Sequence, residues 1–181
     1  MPTAATNPSG TSTASKKNID SALGKLFEHQ LKDTYFAENA IFKALPKMMK
    51  AAQSEDLKKG FEKHLKQTQE HITRLEGVFK IIGRKAEGTP CEAIKGILKE
   101  GDEVAGEFGG TPACDAGLVA SAQAVEHYEI ARYGTLKAWA RDLELEEAVE
   151  LITATENEEI ETDESLTELA LTFNTEALKA A

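Results

Sequence analysis

Read every three or four positions from Val119, the stretch 118–143 yields Val119, Ala122, Glu126, Glu129, Tyr133, Leu136, Ala140 and Leu143. That line follows one face of a helix, apolar at both ends and doubly acidic in the middle. Helical periodicity covers nearly every window from Asp20 onward, in Ala-, Leu-, Glu- and Lys-rich sequence without alternating β-branched runs. It predicts four long helices over 20–52, 54–83, 113–143 and 144–175, and a shorter one over 91–108. Ser54 followed by Glu55 and Asp56 reads as an N-cap with an acidic first turn, and Gly83 as a stop. Pro46 should kink the first helix or end it early. The short helix turns Ile97, Gly101, Val104 and Phe108 inward and leaves Glu100 and Glu103 off that line.

The other inward stripes carry the same interruption. The first helix gives Phe27, Leu31, Thr34, Glu38, Ile41, Leu45 and Met48; the second gives Leu57, Phe61, His64, Thr68, His71, Leu75, Val78 and Ile82, with Gln67 on the flank. The last gives Leu145, Val149, Ile152, Glu156, Glu159, Asp163, Leu166, Ala170 and Phe173. Each stripe is polar only near its middle, so the polar residues meet in one layer whichever way each helix runs. A single glutamate on an apolar face is ordinarily a snorkelling side chain; recurrence on four helices is what carries weight. An ionised carboxylate in a core costs several kcal/mol unless paired or bound to a cation. Here Glu38, Glu126, Glu129, Glu159 and Asp163, with Glu156 a turn away, share a layer with two histidines, while Arg74 and Arg132 lie off the inward lines. Two divalent cations, supplying about four positive charges, suit such a layer, and oxygen-rich ligands with one or two imidazoles favour iron or manganese.

Long helices with short first and last connections, but a long middle one carrying its own helix, give an all-α fold: a ferritin-like four-helix bundle with a short crossover helix. Residues 1–18, rich in Ser, Thr, Pro and Gly, read as a disordered tail, and 19–178 as the bundle domain. The 31 acidic against 21 basic residues give a net charge of -10, which argues against nucleic acid. No stretch reaches the ~18 apolar residues of a membrane span, and no secretory signal is present, so the reading is of a cytoplasmic protein. Cys91 and Cys114 lack a CxxC spacing and read as reduced thiols, with a mutual disulfide as the alternative.

The strings "LKDTYFAENAIFKALPKM", "HLKQTQEHITRLEGVF", "AQAVEHYEIARYGTL" and "EEIETDESLTELA" carry a resemblance running from about Ile19 to Leu178. The chain resembles the bacterial YciE/YciF family of ferritin-like stress proteins, "VEHYEIARYGTL" being the most specific part. The resemblance implies a bundle that is often a homodimer, a carboxylate-bridged centre of two iron ions, and oxidation of ferrous iron or removal of peroxide. Carried over residue by residue, Glu38 matches the carboxylate of the first helix, Glu126 and Glu129 the pair of the third, and Glu159 with Asp163 the acids of the fourth. The second helix departs from the pattern. Lys66 and Gln67 stand where relatives often have a glutamate, and Thr68-x-x-His71 replaces the Glu-x-x-His of di-iron bundles. Gln67 can still bind through its amide oxygen, with His71 one turn on, so one metal site is expected to be weaker or to hold a different metal.

The expected ligand set is therefore Glu38, Gln67, His71, Glu126, Glu129, Glu159 and Asp163, serving a di-iron centre that reduces O2 or hydrogen peroxide. Tyr133, one turn from Glu129, is placed to hydrogen-bond a ligand or donate an electron, with Tyr35 and Tyr128 as weaker candidates. Two other readings compete. One is a stress-induced interaction or structural protein with a vestigial acid layer. The other is hydroxylation of an organic substrate, which requires an apolar access pocket that the sequence does not locate.

Overall fold

The computed structural model describes residues 18–180, which form α1 (Ala22–Ala51), α2 (Glu55–Ile81), α3 (Glu92–Phe108), α4 (Cys114–Asp142) and α5 (Glu146–Lys179). No strand occurs among the described residues, and no helix there is long and apolar enough to cross a membrane. The tail expected to be disordered falls outside the described residues, save Asn18. Next to Asn18, Ile19 is buried in the core at 4% exposure.

Local chemistry sets the ends. Ser21 Oγ accepts from Gly24 N (3.0 Å) and Ser54 Oγ from Asp56 N (3.2 Å), capping α1 and α2. After α2, Gly83 at φ 67° lets Arg84 N donate to Phe79 O (2.9 Å), the six-residue closure of a Schellman motif. The α4–α5 turn closes in the same way, with Leu145 N on Ala140 O (2.9 Å), but the left-handed position is filled by Glu144 at φ 58°. Of the two outcomes expected at Pro46, the early end does not occur, since α1 runs on to Ala51. The proline is exposed, and buried Leu45 and Met48 hold the helix down on either side of it.

Side-chain pairs fix the directions. Tyr35–Glu76 and Glu38–His71 run α1 against α2, Gln123–Thr167 and Lys137–Glu156 run α4 against α5, and His64–Glu159 with Arg74–Thr155 run α2 against α5. Consequently α2 and α4 point the same way. The chain must travel back along the molecule between them, and α3, packed on α4 and α1, makes most of that return. Gly117 permits the close approach: a Cβ there would sit 2.5 Å from Val104 Cγ1. The inward line of α3 runs through Ile94 and Gly101, leaving Phe108 40% exposed rather than buried as its spacing suggested.

The core is in two pieces. One apolar cluster gathers Ile41, Leu45, Phe61, Ile94, Leu118, Val125 and Leu166; the other gathers Phe27, Leu31, Leu75, Phe79, Leu136 and Ile152. Between them lies a slab of buried polar side chains, including Thr34, Glu38, His64, Thr68, His71, Glu126, Glu129, Thr155 and Glu159.

Candidate metal centre

Ten buried side-chain nitrogen and oxygen atoms among the described residues lack a hydrogen-bond partner, and all belong to Glu38, His64, Gln67, His71, Glu126, Glu129 and Glu159. Native interiors seldom leave such groups unmade, because each costs about 1–3 kcal/mol. Here they converge on one point.

Two overlapping groups can be drawn, Glu38–His71–Glu159 and His64–Glu126–Glu129–Glu159, each with ligand atoms within 4.8 Å of one another. Donors around a single ion at bond lengths of about 2.1 Å lie at most ~4.2 Å apart, so slight closure of these side chains would enclose a cation. Glu159 belongs to both groups. Within them His71 Nδ1 lies 3.0 Å from Glu159 Oε1 and 3.4 Å from Glu38 Oε1. His64 Nε2 lies 3.4 Å from Glu126 Oε1, and its Nδ1 lies 3.9 Å from Glu159 Oε2. These are ion-pair separations without the alignment of a hydrogen bond.

Electrostatics describe an acid cluster in want of positive charge. Burial pushes Glu126 and Glu129 well above the usual carboxylate range, and the neighbouring Glu159 and Glu38 push them further. Burial also raises Glu38, against the opposing pull of His71. Burial draws His71 down, but the carboxylates of Glu159 and Glu38 overcome it and raise it to about 11. His64 is lowered, chiefly by burial, which favours the neutral ring that a metal needs. Among the described residues no lysine or arginine comes within 4 Å of the carboxylates of Glu38, Glu126, Glu129 or Glu159.

The surrounding shell orients these groups. Glu158 receives both guanidinium nitrogens of Arg74 (2.8 and 2.9 Å) and sits 2.8 Å from His71 Nε2. With Nε2 donating outward, Nδ1 is left facing the cluster with its lone pair once that nitrogen is deprotonated. Tyr133, fully buried, donates its hydroxyl to Glu38 Oε1, and burial together with Glu38 raises that phenol well above its ordinary value.

Of the seven expected ligands, Glu38, His71, Glu126, Glu129 and Glu159 meet, and Gln67 turns a buried, unpartnered Oε1 inward from the flank of α2. Asp163 does not join them. Its carboxylate takes Gln123 Nε2 (3.2 Å) and His127 Nε2 (3.2 Å) at the edge of the α4–α5 seam. The buried line of α5 advances by sevens, Ile152, Glu159, Leu166 and Phe173, which leaves Asp163 on the flank. His64, which the stripe placed in the layer but the expected ligand set omitted, takes its place; its position seven residues before His71 was the available signal. Glu156 is not an orphan, being paired with Lys137. Tyr35 and Tyr128 do not reach the cluster: one donates to Glu76 (2.9 Å), the other contacts Cys91 Sγ (3.2 Å) and Asp33. Both cysteines are free and buried.

Beside the His64 edge of the cluster is a cavity of about 60 Å³ walled by Ile41, Leu45, Phe61, Val125, Leu166 and Leu169. His64, Gln67 and Glu126 lie at its polar end, and exposed Lys63 and Ser165 at its mouth.

The profile of the family described as "Domain of unknown function (DUF892)" matches residues 22–179. Protein YciF of Escherichia coli K12 is 40% identical over 147 residues, covering 81% of this chain and 89% of that protein. The crystal structure of the E. coli stress protein YciF aligns with a TM-score of 0.82 at 37% identity, covering 85% of this chain and 98% of that one. YcfI of Rhodopseudomonas palustris aligns with a TM-score of 0.79 at 48% identity, covering 81% of this chain and 94% of that one. A Xanthomonas campestris protein, 18% identical with a TM-score of 0.67, shares the fold. With the profile matched from the first long helix to the last, and a relative this similar along most of its length, the chain belongs to the bacterial YciE/YciF family of stress proteins.

Proposed function

We propose that the chain is a ferritin-like four-helix-bundle protein of the stress response. Its mid-bundle layer would hold two metal ions, iron before manganese, for oxidation of ferrous iron by O2 or hydrogen peroxide or for removal of peroxide. The observation that supports this best is the confinement of all ten orphaned buried polar atoms to seven residues at one level of the core. The donor set fits: carboxylates and imidazoles, no thiolate, and too few internal cations. Glu38 and His71 would hold one ion and His64, Glu126 and Glu129 the other, with Glu159, common to both groups, a ligand available to either. Gln67, whose buried Oε1 lacks a partner, would support the second site from the flank. When bound, two ferrous ions would supply two electrons to an oxygen–oxygen bond. The chain's own part is to place the carboxylates in a dry layer, to fix the His71 ring through Glu158 and Arg74, and to hold a proton on Tyr133 against Glu38. A homodimer in the cytoplasm is the expected assembly and location.

A second reading has one observation behind it. YcfI of R. palustris is described, provisionally, as a structural protein, and a bundle with this layer could serve such a role without metal. Elemental analysis of the purified parent beside a Glu129→Ala, Glu159→Ala double variant separates the two. About two iron or manganese ions per chain, lost in the variant, is the expected result. Absence of metal after anaerobic loading with ferrous iron would refute the redox reading and leave the structural one.

A further inference from the structure

The cavity beside the cluster has a chemistry of its own. Its walls are hydrocarbon, contributed by α1, α2, α4 and α5 with Leu98 of α3 closing one side. Its polar end is the opposite: His64 at 3% exposure has both ring nitrogens unpartnered, and Gln67 Oε1 and Glu126 Oε2 are buried acceptors with nothing to accept from. About 60 Å³ corresponds to roughly four to six water-sized groups at about 10–15 Å³ each. Hydrogen peroxide, with two heavy atoms, would leave most of that apolar space empty.

Three properties therefore define the occupant. It has a short branched or linear alkyl body, to cover the walls. It ends in one O–H group, to supply the missing donor. It carries no negative charge, because no lysine or arginine stands at the polar end to balance one and the cation that lines the cavity, Lys63, is at the mouth. A plain hydrocarbon fails the second requirement, and a fatty carboxylate fails the third.

We propose that this cavity seats short-chain alkyl hydroperoxides, and the alcohols they yield, with the terminal O–H donating to Gln67 Oε1 and the alkyl group against Ile41, Leu45 and Val125. The substrate class rests on the redox reading above; the binding of the alkyl body does not. Reduction of such a molecule would break its O–O bond with two electrons, one from each of two ferrous ions that become ferric, and two protons from solvent, leaving the alcohol and water.

The test begins with metal-free protein and tert-butanol, followed by methyl NMR. Saturable shifts confined to Ile41, Leu45, Met48 and Val125 are expected, weakened about tenfold or more in Ala44→Phe, which projects a ring into the cavity. Leu98→Ala, which enlarges the space, should tighten binding and serves if the first variant does not fold. Ferrous-loaded protein is then mixed with excess tert-butyl hydroperoxide or hydrogen peroxide in single-turnover experiments; the ratio of the two second-order rate constants should fall about tenfold in Ala44→Phe and rise in Leu98→Ala. Shifts that are absent, or scattered over the surface, overturn the proposal even if hydrogen peroxide is consumed. Localised alcohol binding in a protein that consumes no peroxide would instead refute the redox reading and the hydroperoxide assignment together, leaving an alcohol site.

Discussion

Glu129→Leu should stabilise the metal-free protein and abolish most of its response to metal. Glu129 is 1% exposed, both of its oxygens lack partners, and burial, reinforced by Glu38, Glu159 and Glu126, holds its carboxyl well above the usual range. Leucine has nearly the same volume and removes a buried acceptor that costs about 1–3 kcal/mol neutral and more when ionised. It also adds apolar contact, so a net gain of about 3 kcal/mol is expected, or roughly 6–12 °C in Tm for a domain of this size. Metal acts in the opposite sense: at a free concentration of one hundred times Kd it adds about 2.7 kcal/mol to the parent. Thermal scans of parent and variant, each chelated and iron-loaded, give the four values required. The expected pattern is a crossing, with the variant more stable when metal-free and the parent gaining far more from metal. An equal metal-induced rise in both proteins would place the binding site elsewhere. A metal-free variant destabilised by more than about 1 kcal/mol would show that the carboxyl has a structural partner.

Other expectations follow from the same geometry. Metal uptake at neutral pH should release protons, read with a pH indicator, because Glu126, Glu129 and His71 are raised and must give theirs up; affinity should rise with pH. In the metal-free protein these groups bind more protons folded than unfolded. Their stabilisation is complete below the unfolded values, about 4.3 for the acids and 6.5 for His71, and is lost as pH rises through the folded ones, about 11 for His71. Urea midpoints should therefore fall from pH 5 to pH 9, and metal should flatten the slope. Asp115→Ala should cost about 3 kcal/mol in urea unfolding, since its carboxylate accepts from Gln53 N (2.8 Å) and Ser54 N (2.7 Å); Asp115→Asn, keeping one good acceptor, should cost about half. Glu144→Gly should raise Tm by about 2–4 °C, because Glu144 occupies a left-handed conformation that costs a side chain about 1 kcal/mol.

Periodicity and capping made the helices legible, because Ser54, Gly83 and the apolar spacing act within a few residues of themselves. The polar layer was legible for a different reason: mid-helix defects on four helices meet whatever their directions. Helical spacing does not resolve phase over long runs, which is why Asp163 read as inward; His64 lay on the inward stripe but was left out because the family's Glu-x-x-His pattern pointed to Gln67 and His71 instead. A seven-residue advance on α5 and a seven-residue interval on α2 decide both. Partners on other helices were out of reach. The hold of Asp115 on the N-terminus of α2, and the grip of Arg74 on Glu158, join residues 61 and 84 positions apart with no local signature. The early end that Pro46 allowed does not occur because buried Leu45 and Met48 hold the helix on either side, a property of packing. The cavity is also a product of packing, bounded by five helices that each contribute ordinary core residues.

The acids of α5 supply their own control for the metal reading. Glu156, Glu158 and Glu159 lie within one turn, yet Glu156 is met by Lys137 and Glu158 by Arg74, while Glu159, the most buried of the three, meets only histidines. The fold thus places lysine and arginine beside the carboxylates at the edge of the bundle and withholds them from its centre. A merely structural layer would gain from the reverse arrangement, because the central carboxylate suffers the greatest loss of hydration. A layer meant to receive external cations needs its central acids free of lysine and arginine and its flanking acids tied down, so that Glu158, held by Arg74, orients His71 while Glu159 is left to the histidines. That division of labour within a single turn is what the proposed metal site requires and a plain run of acidic residues does not.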